Sequence, residues 1–511
     1  MAASSAPSST ERPSGQTTSA AFSPPRREPT SGHCAGHTAY ATFLRPRAKR
    51  QPKRCPQLPT GSPSSRCRST RSRTAARTSG CAGSRAKPWR FRSERATCEN
   101  DPVTTPTRTD VLVVGAGPSG SAAAAWAARA GRDVVLADAA VFPRDKTCGD
   151  GLTPRAIAEL TRLGLDDWLR GHTVNHGLKA HGFGQVLELR WPGGSLPDWG
   201  SAVARTELDD HLRTHALKSG AVGVEGAKAV DARIEGGRVR GVTFQRDGET
   251  FEIECERLIV ADGVRSGLGK VLGRVWHKDT VYAVAGRCYV DSTQADDPWI
   301  SSHLELRGEE GEILSGYGWI FPLGGGQVNV GAGTLATTKR PAEVAIKPLM
   351  ARYVEECRDG FGLQGEARMA TSALLPMGGA VSGVAGPNWA LIGDAAACIN
   401  PLNGEGIDYG LETGRFVVDL LDTDLSVTWP KLLKEHYGEA FSIARRLAGI
   451  VTVPRVLPAL GPAGMRSDWL MTLALRWMGN LVTDEDRDGA ARVWRWAGRQ
   501  SVRLEHRPPF T

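Results

Sequence analysis

Residues 110–120 read Asp-Val-Leu-Val-Val-Gly-Ala-Gly-Pro-Ser-Gly, an apolar run of strand length that ends in glycines. The next ten residues are rich in alanine, as a helix would be, and residues 133–138 form a second apolar run. A strand, a glycine turn, a helix and a strand within about thirty residues make a βαβ unit, which implies a parallel sheet. The sequence therefore predicts an α/β fold whose ordered part begins at Asp110.

The glycine turn has the spacing Gly-x-Gly-x-x-Gly and begins at Gly115. The first glycine permits a tight turn, Gly117 lets a pyrophosphate approach the backbone, and Gly120 allows the helix to pack closely on the strand. Asp138 follows Gly115 by 23 residues, at the end of the next strand, where an acid binds an adenosine ribose. Because a merely structural turn needs none of this context, we predict dinucleotide binding. The predicted contacts are Gly115, Ala116, Gly117, Pro118, Ser119, Gly120 and Asp138.

A second glycine-rich element lies far along the chain. Gly393-Asp394 ends an apolar run, and Gly404-Glu-Gly406-Ile407 then opens a helix. Asp394 offers a carboxylate to a ribityl or pyrophosphate-side hydroxyl, and the helix N-terminus would stabilise negative charge on a reduced flavin. The alternative is a helix cap in a structural turn. Nicotinamide dehydrogenases lack such a distant element, so we predict that the cofactor is FAD and that Asp394, Gly406 and Ile407 contact it.

A third element, Asp262-Gly263, follows the apolar residues 258–261. Alone it is compatible with a simple β-turn. Between the other two elements it resembles the middle Asp-Gly motif of flavoproteins with the aromatic-hydroxylase type of fold. Arg205 completes the predicted set, with a solvated charge at a helix start as the alternative.

The remaining sequence divides by its periodicity. Short strand-like stretches between Gly and Asp turns fill residues 175–375, and helical patterns begin near residue 405. We predict a discontinuous FAD-binding domain, a substrate-binding sheet domain inserted into it, and a helical C-terminal region. Their predicted residues are 106–175, 200–275 and 376–425 for the first, 176–199 and 276–375 for the second, and 426–511 for the third.

The N-terminal fifth differs in composition from everything after it. Residues 1–100 contain 19 Lys and Arg against 4 Asp and Glu, whereas the other 411 residues carry 45 basic and 51 acidic side chains. Residues 1–105 show no sustained apolar period, so we predict that this basic, Ser/Pro/Arg-rich extension is disordered. An alternative is that the native protein starts later, near Val103. The main body carries no basic excess that would favour nucleic acid.

Cysteine spacing argues against a disulfide framework or a metal site, and hydropathy argues against a membrane-spanning segment. Five cysteines are scattered through residues 106–511 without CxxC or metal-ligand spacing, which predicts reduced thiols and no metal site. No apolar run approaches the ~18–20 residues that cross a bilayer.

Two stretches give the sequence a more specific resemblance. They are Phe142-Pro-Arg-Asp-Lys-Thr-Cys-Gly-Asp-Gly151 and Gly316-Tyr-Gly-Trp-Ile-Phe-Pro322. With the three FAD elements they resemble the geranylgeranyl reductase family over residues 107–511. The resemblance implies a Rossmann-like FAD-binding domain of the aromatic-hydroxylase type with an interleaved antiparallel-sheet domain. It adds Cys148, Gly149 and Asp150 to the FAD contacts, and it places Tyr317, Trp319 and Phe321 against the substrate.

The same resemblance implies an activity and a setting. The implied reaction saturates a C=C bond in the isoprenoid chain of a lipid, and the implied host is an actinobacterium. Menaquinone is the lipid that the resemblance favours. Geranylgeranyl diphosphate, a polar-lipid chain and aromatic monooxygenation remain alternatives, as does a flavin-containing lipid-binding or electron-transfer protein. The implied location is the cytoplasmic face of the cell membrane, with peripheral attachment. The electron donor stays open between NAD(P)H and a ferredoxin-like carrier.

The chemistry of an isolated alkene singles out one further residue. Such an alkene accepts a hydride only if a proton reaches its other carbon in concert or beforehand. We predict Cys148 as a catalytic residue that donates this proton or adjoins the flavin; the alternative is that it only packs near the ring. The aromatic residues 317, 319 and 321 would hold the chain and stabilise positive charge on a tertiary carbon.

Overall fold

A computed structural model describes residues 105–511 except Glu343. The predictions of disorder in residues 1–105 and of a start near Val103 therefore concern residues outside the described part, apart from Thr105. Within residues 105–511, strands and helices alternate as far as Leu391, and the chain is almost entirely helical from Ile407 onward.

Among the described residues, twenty strands belong to four sheets. In chain order they are β1 Arg108–Val114, β2 Val134–Ala137, β3 Gly151–Leu152, β4 Thr173–Asn175, β5 Gly177–Gly182, β6 Gln185–Arg190, β7 Gly200–Ala202, β8 Val222–Val224, β9 Lys228–Glu235, β10 Arg238–Arg246, β11 Glu249–Val260, β12 Val275–Trp276, β13 Tyr282–Ser292, β14 Ile300–His303, β15 Gly316–Gly324, β16 Gln327–Ala336, β17 Leu363–Pro376, β18 Val381–Ser382, β19 Ala385–Gly386 and β20 Trp389–Leu391.

Twelve α-helices accompany these strands in residues 105–511 as far as the structure describes them. They are α1 Pro118–Arg129, α2 Pro154–Arg162, α3 Asp166–Arg170, α4 Arg205–Lys218, α5 Gly267–Val271, α6 Ile346–Cys357, α7 Ile407–Val418, α8 Leu425–Leu433, α9 Glu439–Val451, α10 Val456–Gly464, α11 Asp468–Met478 and α12 Gly489–Arg503. A 3₁₀ turn occupies Gly393–Ala396, and a π-helical turn, Lys434–Gly438, joins α8 to α9.

The first sheet is built on parallel strands in the order β20-β11-β1-β2-β8. β1 pairs in register with β2 and β11, and β11 with β20, so that Val114, Ala137, Val260 and Leu391 end at one edge. Every residue of β2 and most of β1 is buried, as expected for parallel strands that are covered on both faces. The register therefore brings the segments that follow four strands to the same edge of the sheet.

The second sheet has seven strands in the order β17-β13-β16-β15-β14-β5-β6. All its neighbours are antiparallel except β14 and β5. Because side chains alternate between the faces, β16 turns Val328 and Val330 towards the hydrophobic cluster under α6 and turns Asn329 to the opposite face. The strand order and the C-terminal helices confirm the predicted α/β fold with an antiparallel sheet, although the exact domain boundaries stay a prediction.

Candidate FAD and substrate site

A cavity of about 390 Å³ opens at the edge where the four parallel strands end. This is the position at which ligands bind to open α/β sheets. Most of the residues predicted from the three FAD elements line it. From the prediction these are Gly115, Gly117, Pro118, Ser119, Asp138, Arg205, Asp262, Gly263, Asp394, Gly406 and Ile407.

The first glycine turn has the geometry that a pyrophosphate requires. Gly115 adopts φ +105°, and a Cβ there would lie 2.3 Å from the carbonyl oxygen of Ala261. Gly120 packs against the turn so closely that a Cβ would lie 1.8 Å from the Gly115 carbonyl oxygen. Both positions exclude a side chain, and α1 begins at Pro118, so its free N–H groups face the cavity edge. Ala116 and Gly120 are buried in the turn and shape it from behind.

Asp138 has two roles in this turn. One carboxylate oxygen accepts a hydrogen bond from the Ala116 N–H at 2.6 Å, and the other accepts one from the Ala140 N–H at 2.8 Å. The carboxylate therefore braces the glycine turn, and it also lines the cavity. A carboxylate oxygen has more than one lone pair, so the spare acceptor positions suit ribose hydroxyls.

Two arginines stand over the glycine turn and share one buried carboxylate. Arg205 Nε and Nη2 donate to Asp209 at 2.6 and 2.7 Å, and Arg144 Nη1 donates to the same side chain at 2.7 Å. Burial opposes the charge of Arg205, but the Asp209 carboxylate outweighs it and holds the Arg205 pKa well above its usual value. A Cβ at Gly117 would lie 3.4 Å from Arg144 and 3.9 Å from Arg205. Fixed guanidinium groups at this distance suit an anionic pyrophosphate.

The distant glycine element reaches the same cavity. Asp394 Oδ2 accepts a hydrogen bond from Lys146 Nζ at 3.0 Å, and a Cβ at Gly406 would lie 3.0 Å from Asp394 Oδ1. Gly406 caps α7, whose first residue is Ile407, and α7 packs along α1. The N-terminus of α7 thus meets the cavity beside Asp394, where it would favour negative charge.

Asp262 and Gly263 contribute mainly by shaping the turn after β11. Asp262 Oδ2 accepts from the Leu268 N–H at 2.9 Å and so caps the short helix α5. Burial raises the Asp262 pKa, and its Oδ1 has no hydrogen-bond partner among the described residues. Asp262 therefore has the structural role of the β-turn alternative, because its side chain holds the turn, and it also lines the cavity.

The charges of the cavity fit a dinucleotide. Five cationic side chains line it against three acids, which suits a ligand with a negatively charged centre and hydroxyl-bearing ends. Arg144 and Lys146 belong to the stretch Phe142–Gly151 but were not predicted as contacts, although two cations shortly before Cys148 are visible in the sequence. The cationic lining residues are Arg144, Lys146, Arg205, Lys228 and Arg265.

Residues 148–151, called the Cys148 segment from here on, include the predicted FAD contacts Cys148, Gly149 and Asp150; they lie between the two sheets and are not among the residues that line this cavity. A Cβ at Gly149 would lie 3.2 Å from Phe321 and 3.3 Å from Trp319, so the segment packs directly on the predicted substrate strand. Cys148 is a free thiol and is half-buried. Burial raises its pKa, against the opposing effect of Arg205, so the thiol is protonated at neutral pH.

The predicted aromatic residues share one face of β15. Ring centroids are 5.9 Å apart for Tyr317 and Trp319, and 6.3 Å apart for Trp319 and Phe321. Trp319 Nε1 donates to Asn329 Oδ1 at 2.9 Å, and the Tyr317 hydroxyl donates to the carbonyl oxygen of Asn403, next to the second glycine element. The aromatic row therefore runs from the FAD side of the molecule towards Phe321.

Phe321 continues this row into an apolar cluster under the C-terminal helices. It packs against a buried cluster to which β5, β6, β14 and α11 contribute. The cluster also contains Met465, which follows α10, and Met471 lies beside it. Apolar packing thus extends from the Cys148 segment through Phe321 to α11 and to Met465 at the end of α10, and no local sequence pattern indicates it.

Comparison with known proteins identifies relatives of this chain. Residues 108–316 match the family described as FAD binding domain. The chain is 62% identical over 410 residues to a menaquinone reductase of Mycolicibacterium smegmatis, covering 79% of this chain and all of that protein. It is 59% identical to a menaquinone reductase of Mycobacterium tuberculosis, covering 79% of this chain and 98% of the relative.

More distant relatives share the fold. A digeranylgeranylglycerophospholipid reductase of Methanopyrus kandleri is 29% identical over 65% of this chain and 86% of its own length. The crystal structure of a geranylgeranyl bacteriochlorophyll reductase-like protein of Thermoplasma acidophilum matches with a TM-score of 0.61 at 20% identity, over 78% of this chain and 99% of that chain. The prediction of FAD as the cofactor is confirmed, whereas the individual contact residues stay predictions. On its motifs, its fold and these identities, the chain belongs to the menaquinone reductases of the geranylgeranyl reductase family.

Proposed function

We propose that this chain is an FAD-dependent reductase that saturates a C=C bond in the isoprenoid tail of menaquinone. The observation that carries the proposal is the 62% identical match to the whole length of a menaquinone reductase, over 79% of this chain, together with a cavity that suits FAD. When bound, FAD supplies the hydride that one alkene carbon receives. The residues of the chain must seat the tail, exclude water and deliver a proton to the other carbon.

The aromatic row on β15 is the proposed seat of the isoprenoid tail. Trp319 is buried and Tyr317 and Phe321 are half-buried, so their rings form a dry surface against which an apolar chain packs. The faces of aromatic rings also attract positive charge, which builds on a tertiary carbon as it is protonated. The remaining isoprene units would extend from Phe321 along the apolar cluster that contains Met465 and adjoins Met471.

Cys148 is the proposed proton donor to the alkene. Its thiol belongs to the segment that packs on Trp319 and Phe321, and its raised pKa keeps it protonated at neutral pH. The neighbouring Arg205 would stabilise the thiolate that remains after the proton has left.

The cellular location and the electron donor of the enzyme are also proposals. We infer that the enzyme works peripherally at the cytoplasmic face of the membrane, where a menaquinone tail can be withdrawn from the bilayer, and that it receives electrons from NAD(P)H or a ferredoxin-like carrier. No single helix within the described residues can cross a membrane, although Leu425–Val451 and Val456–Gly464, bent by 108°, together have the length and composition of a broken span. Support for membrane contact comes from α10, which has no buried residue, and from Trp469 on α11, which is 71% exposed.

Lipid analysis tests the proposed activity. A strain that lacks the gene should accumulate menaquinone with one more C=C bond than the parent, and the intact gene should restore the saturated form. Purified FAD-loaded protein supplied with a reductant should add two hydrogens to menaquinone, as measured by mass spectrometry. Addition of one oxygen would indicate a monooxygenase. Reoxidation of the flavin without change in the tail would indicate an electron-transfer protein.

A further inference from the structure

Asp150 is a carboxylic acid buried between the Cys148 segment and the substrate sheet. It is fully inaccessible to solvent and adopts φ +64°, which turns the backbone sharply after Gly149. Asp150 is also one of the predicted FAD contacts, and that role stays a prediction; in the structure its side chain is held by the substrate sheet. A buried acid in this position requires an explanation.

Two donors hold one oxygen of this carboxyl group and leave the other free. The Tyr289 hydroxyl donates to Asp150 Oδ2 at 2.7 Å, and Asn329 Nδ2 donates to the same oxygen at 2.8 Å. Asp150 Oδ1 has no hydrogen-bond partner among residues 105–511 as described. An unpartnered oxygen on a buried carboxyl group is a natural place for a proton.

Neighbouring contacts place the carboxyl group close to the proposed proton donor, and the Asp150 charge is one of the causes that raise the Cys148 pKa. The Asp150 N–H points at Cys148 Sγ, 3.4 Å away, and Asn329 Nδ2 also donates to the Cys148 carbonyl oxygen at 2.9 Å. Asn329 Oδ1 accepts from Trp319 Nε1. One amide side chain therefore positions the carboxyl group, the thiol segment and the central aromatic ring relative to one another.

We propose that Asp150 is a positioning residue that stores the proton with which the Cys148 thiol is restored after each reduction. This inference rests on the proposed function, since it presupposes that the thiol gives its proton to the alkene. The thiol loses H⁺ to one alkene carbon and becomes a thiolate. The protonated carboxyl group then transfers H⁺ to the thiolate sulfur and becomes a carboxylate, which takes up a proton from solvent before the next turnover.

The charged and titratable groups around Asp150 allow this direction of transfer. Burial raises the pKa of Asp150 to about 6, opposed by the hydrogen bonds from Asn329 and Tyr289 and by the charge of Arg205. Arg287 lies on β13 with Tyr289, and its guanidinium is 4.4 Å from the centre of the Tyr289 ring. Its positive charge also lowers the Asp150 pKa. The Cys148 pKa is raised above the ordinary thiol value and is therefore higher than that of Asp150. Transfer of a proton from the Asp150 carboxyl group to the Cys148 thiolate is therefore favourable in free energy.

A pH profile of the reaction distinguishes proton storage from a merely structural role. In FAD-loaded enzyme, alkene saturation should decline as the pH rises above about 6, because less Asp150 is protonated. Asp150→Asn should lower kcat about 10²-fold, flatten this decline, and leave KM and bound FAD unchanged. Tyr289→Phe should move the decline to higher pH, because loss of its hydrogen bond raises the Asp150 pKa. Asp291→Asn, an exposed carboxylate on the same strand, is the matched control.

A second readout does not depend on turnover. The rate at which iodoacetamide alkylates Cys148, followed by peptide mass spectrometry in the FAD-loaded protein, reports the thiolate fraction. Asp150→Asn should increase this rate at pH 8, because the Asp150 carboxylate raises the Cys148 pKa. An Asp150→Asn enzyme with wild-type kcat, pH profile and alkylation rate would refute the relay. If the wild type reduces no isoprenoid tail but its alkylation still responds to Asp150→Asn, the proposed function fails while the coupling of the two groups stands.

Discussion

The indole of Trp319 lies over Gly331 on the neighbouring strand, so closely that a Cβ at Gly331 would stand 2.2 Å from the ring. The two residues are directly paired in the register of β15 and β16. The absence of a side chain on β16 therefore sets the depth at which the central ring of the proposed substrate seat lies. This contact also keeps Trp319 within hydrogen-bonding distance of Asn329, which the Asp150 network requires.

Gly331→Ala is expected to disturb the substrate seat. The added methyl group would displace the Trp319 ring and strain the sheet, since it would also lie 2.6 Å from the Gly286 carbonyl oxygen, at an expected cost of about 1–3 kcal/mol. Tail reduction should fall while FAD absorbance is retained. Gly333→Ala is the matched control, because its methyl group meets nothing closer than 3.5 Å. Equal activity of the two variants would contradict the proposed seat.

Arg144→Gln should weaken FAD binding. Arg144 lines the cavity beside Gly117, and its removal leaves Asp209 still paired with Arg205, so the fold should persist. We expect about a tenfold increase in the Kd for FAD, measured by fluorescence titration of the deflavinated protein, as for one lost charged hydrogen bond. Arg170→Gln, an exposed arginine paired with Asp166, should leave the Kd unchanged. A Kd for Arg144→Gln that equals the wild-type value would remove this side chain from the FAD site.

Cys148→Ala should lower the yield of saturated product without loss of FAD. General acids typically contribute about 10²–10⁴-fold to a rate, so a decrease in kcat within this range is expected. The measurement is product formation per bound FAD. Cys288→Ala serves as a control, because this buried thiol lies in the cluster under α6, on the other face of the sheet. Turnover of Cys148→Ala at the wild-type rate would show that the thiol only packs near the site.

His303 should make the protein sensitive to acid. Burial lowers the pKa of His303 to about 3, and the ring hydrogen-bonds Tyr353 and stacks on His181 at 4.5 Å. Because the unfolded chain takes up this proton near pH 6.5 and the folded chain does not, stability is full above pH 6.5 and is lost as the pH falls. The loss attributable to His303 should reach up to about 2 kcal/mol at pH 5.

Denaturant unfolding between pH 7.5 and pH 5 measures this loss. His303→Gln should reduce the difference in unfolding free energy between the two pH values, because glutamine carries no titratable proton. His506→Gln, at an exposed position, is the control and should leave this difference in unfolding free energy as it is in the wild type. An undiminished loss in His303→Gln would assign the acid sensitivity to other groups.

Trp469→Ser and Leu460→Ser should weaken attachment to lipid vesicles. Both side chains are more than 60% exposed, at 71% and 66%. Trp469 lies on α11, which contributes to the cluster against which Phe321 packs, and Leu460 lies on the preceding helix, α10. Transfer of one such side chain into a lipid interface stabilises by about 2 kcal/mol, so each change should lower the partition coefficient about tenfold or more. Flotation of FAD-loaded protein with vesicles that contain anionic lipid is the measurement. Ile234→Ser, at a 49% exposed position on β9, is the control, and equal flotation of all variants would place the membrane contact elsewhere.

The FAD side of the site was predictable because its signals are local. Each motif follows one strand directly, and the register of parallel strands is enough to bring Gly115, Asp138, Asp262 and Asp394 to one edge. Glycine positions carry their own physical reason, since a Cβ at Gly115 or Gly120 would overlap the backbone. The fold class and FAD were therefore within reach of sequence reasoning, and the substrate came from the resemblance of two further stretches.

The environment of Asp150 depended instead on packing between distant parts of the chain. Tyr289 and Asn329 lie 139 and 179 residues away from it in sequence, and they meet only because the antiparallel register of β13, β16 and β15 lines them up beneath the Cys148 segment. No local pattern distinguishes a buried, half-satisfied carboxyl group from a cofactor contact. Which residues can hold FAD follows from short-range backbone geometry, whereas how a proton reaches the alkene depends on burial and hydrogen bonding, which arise only when the two sheets pack together.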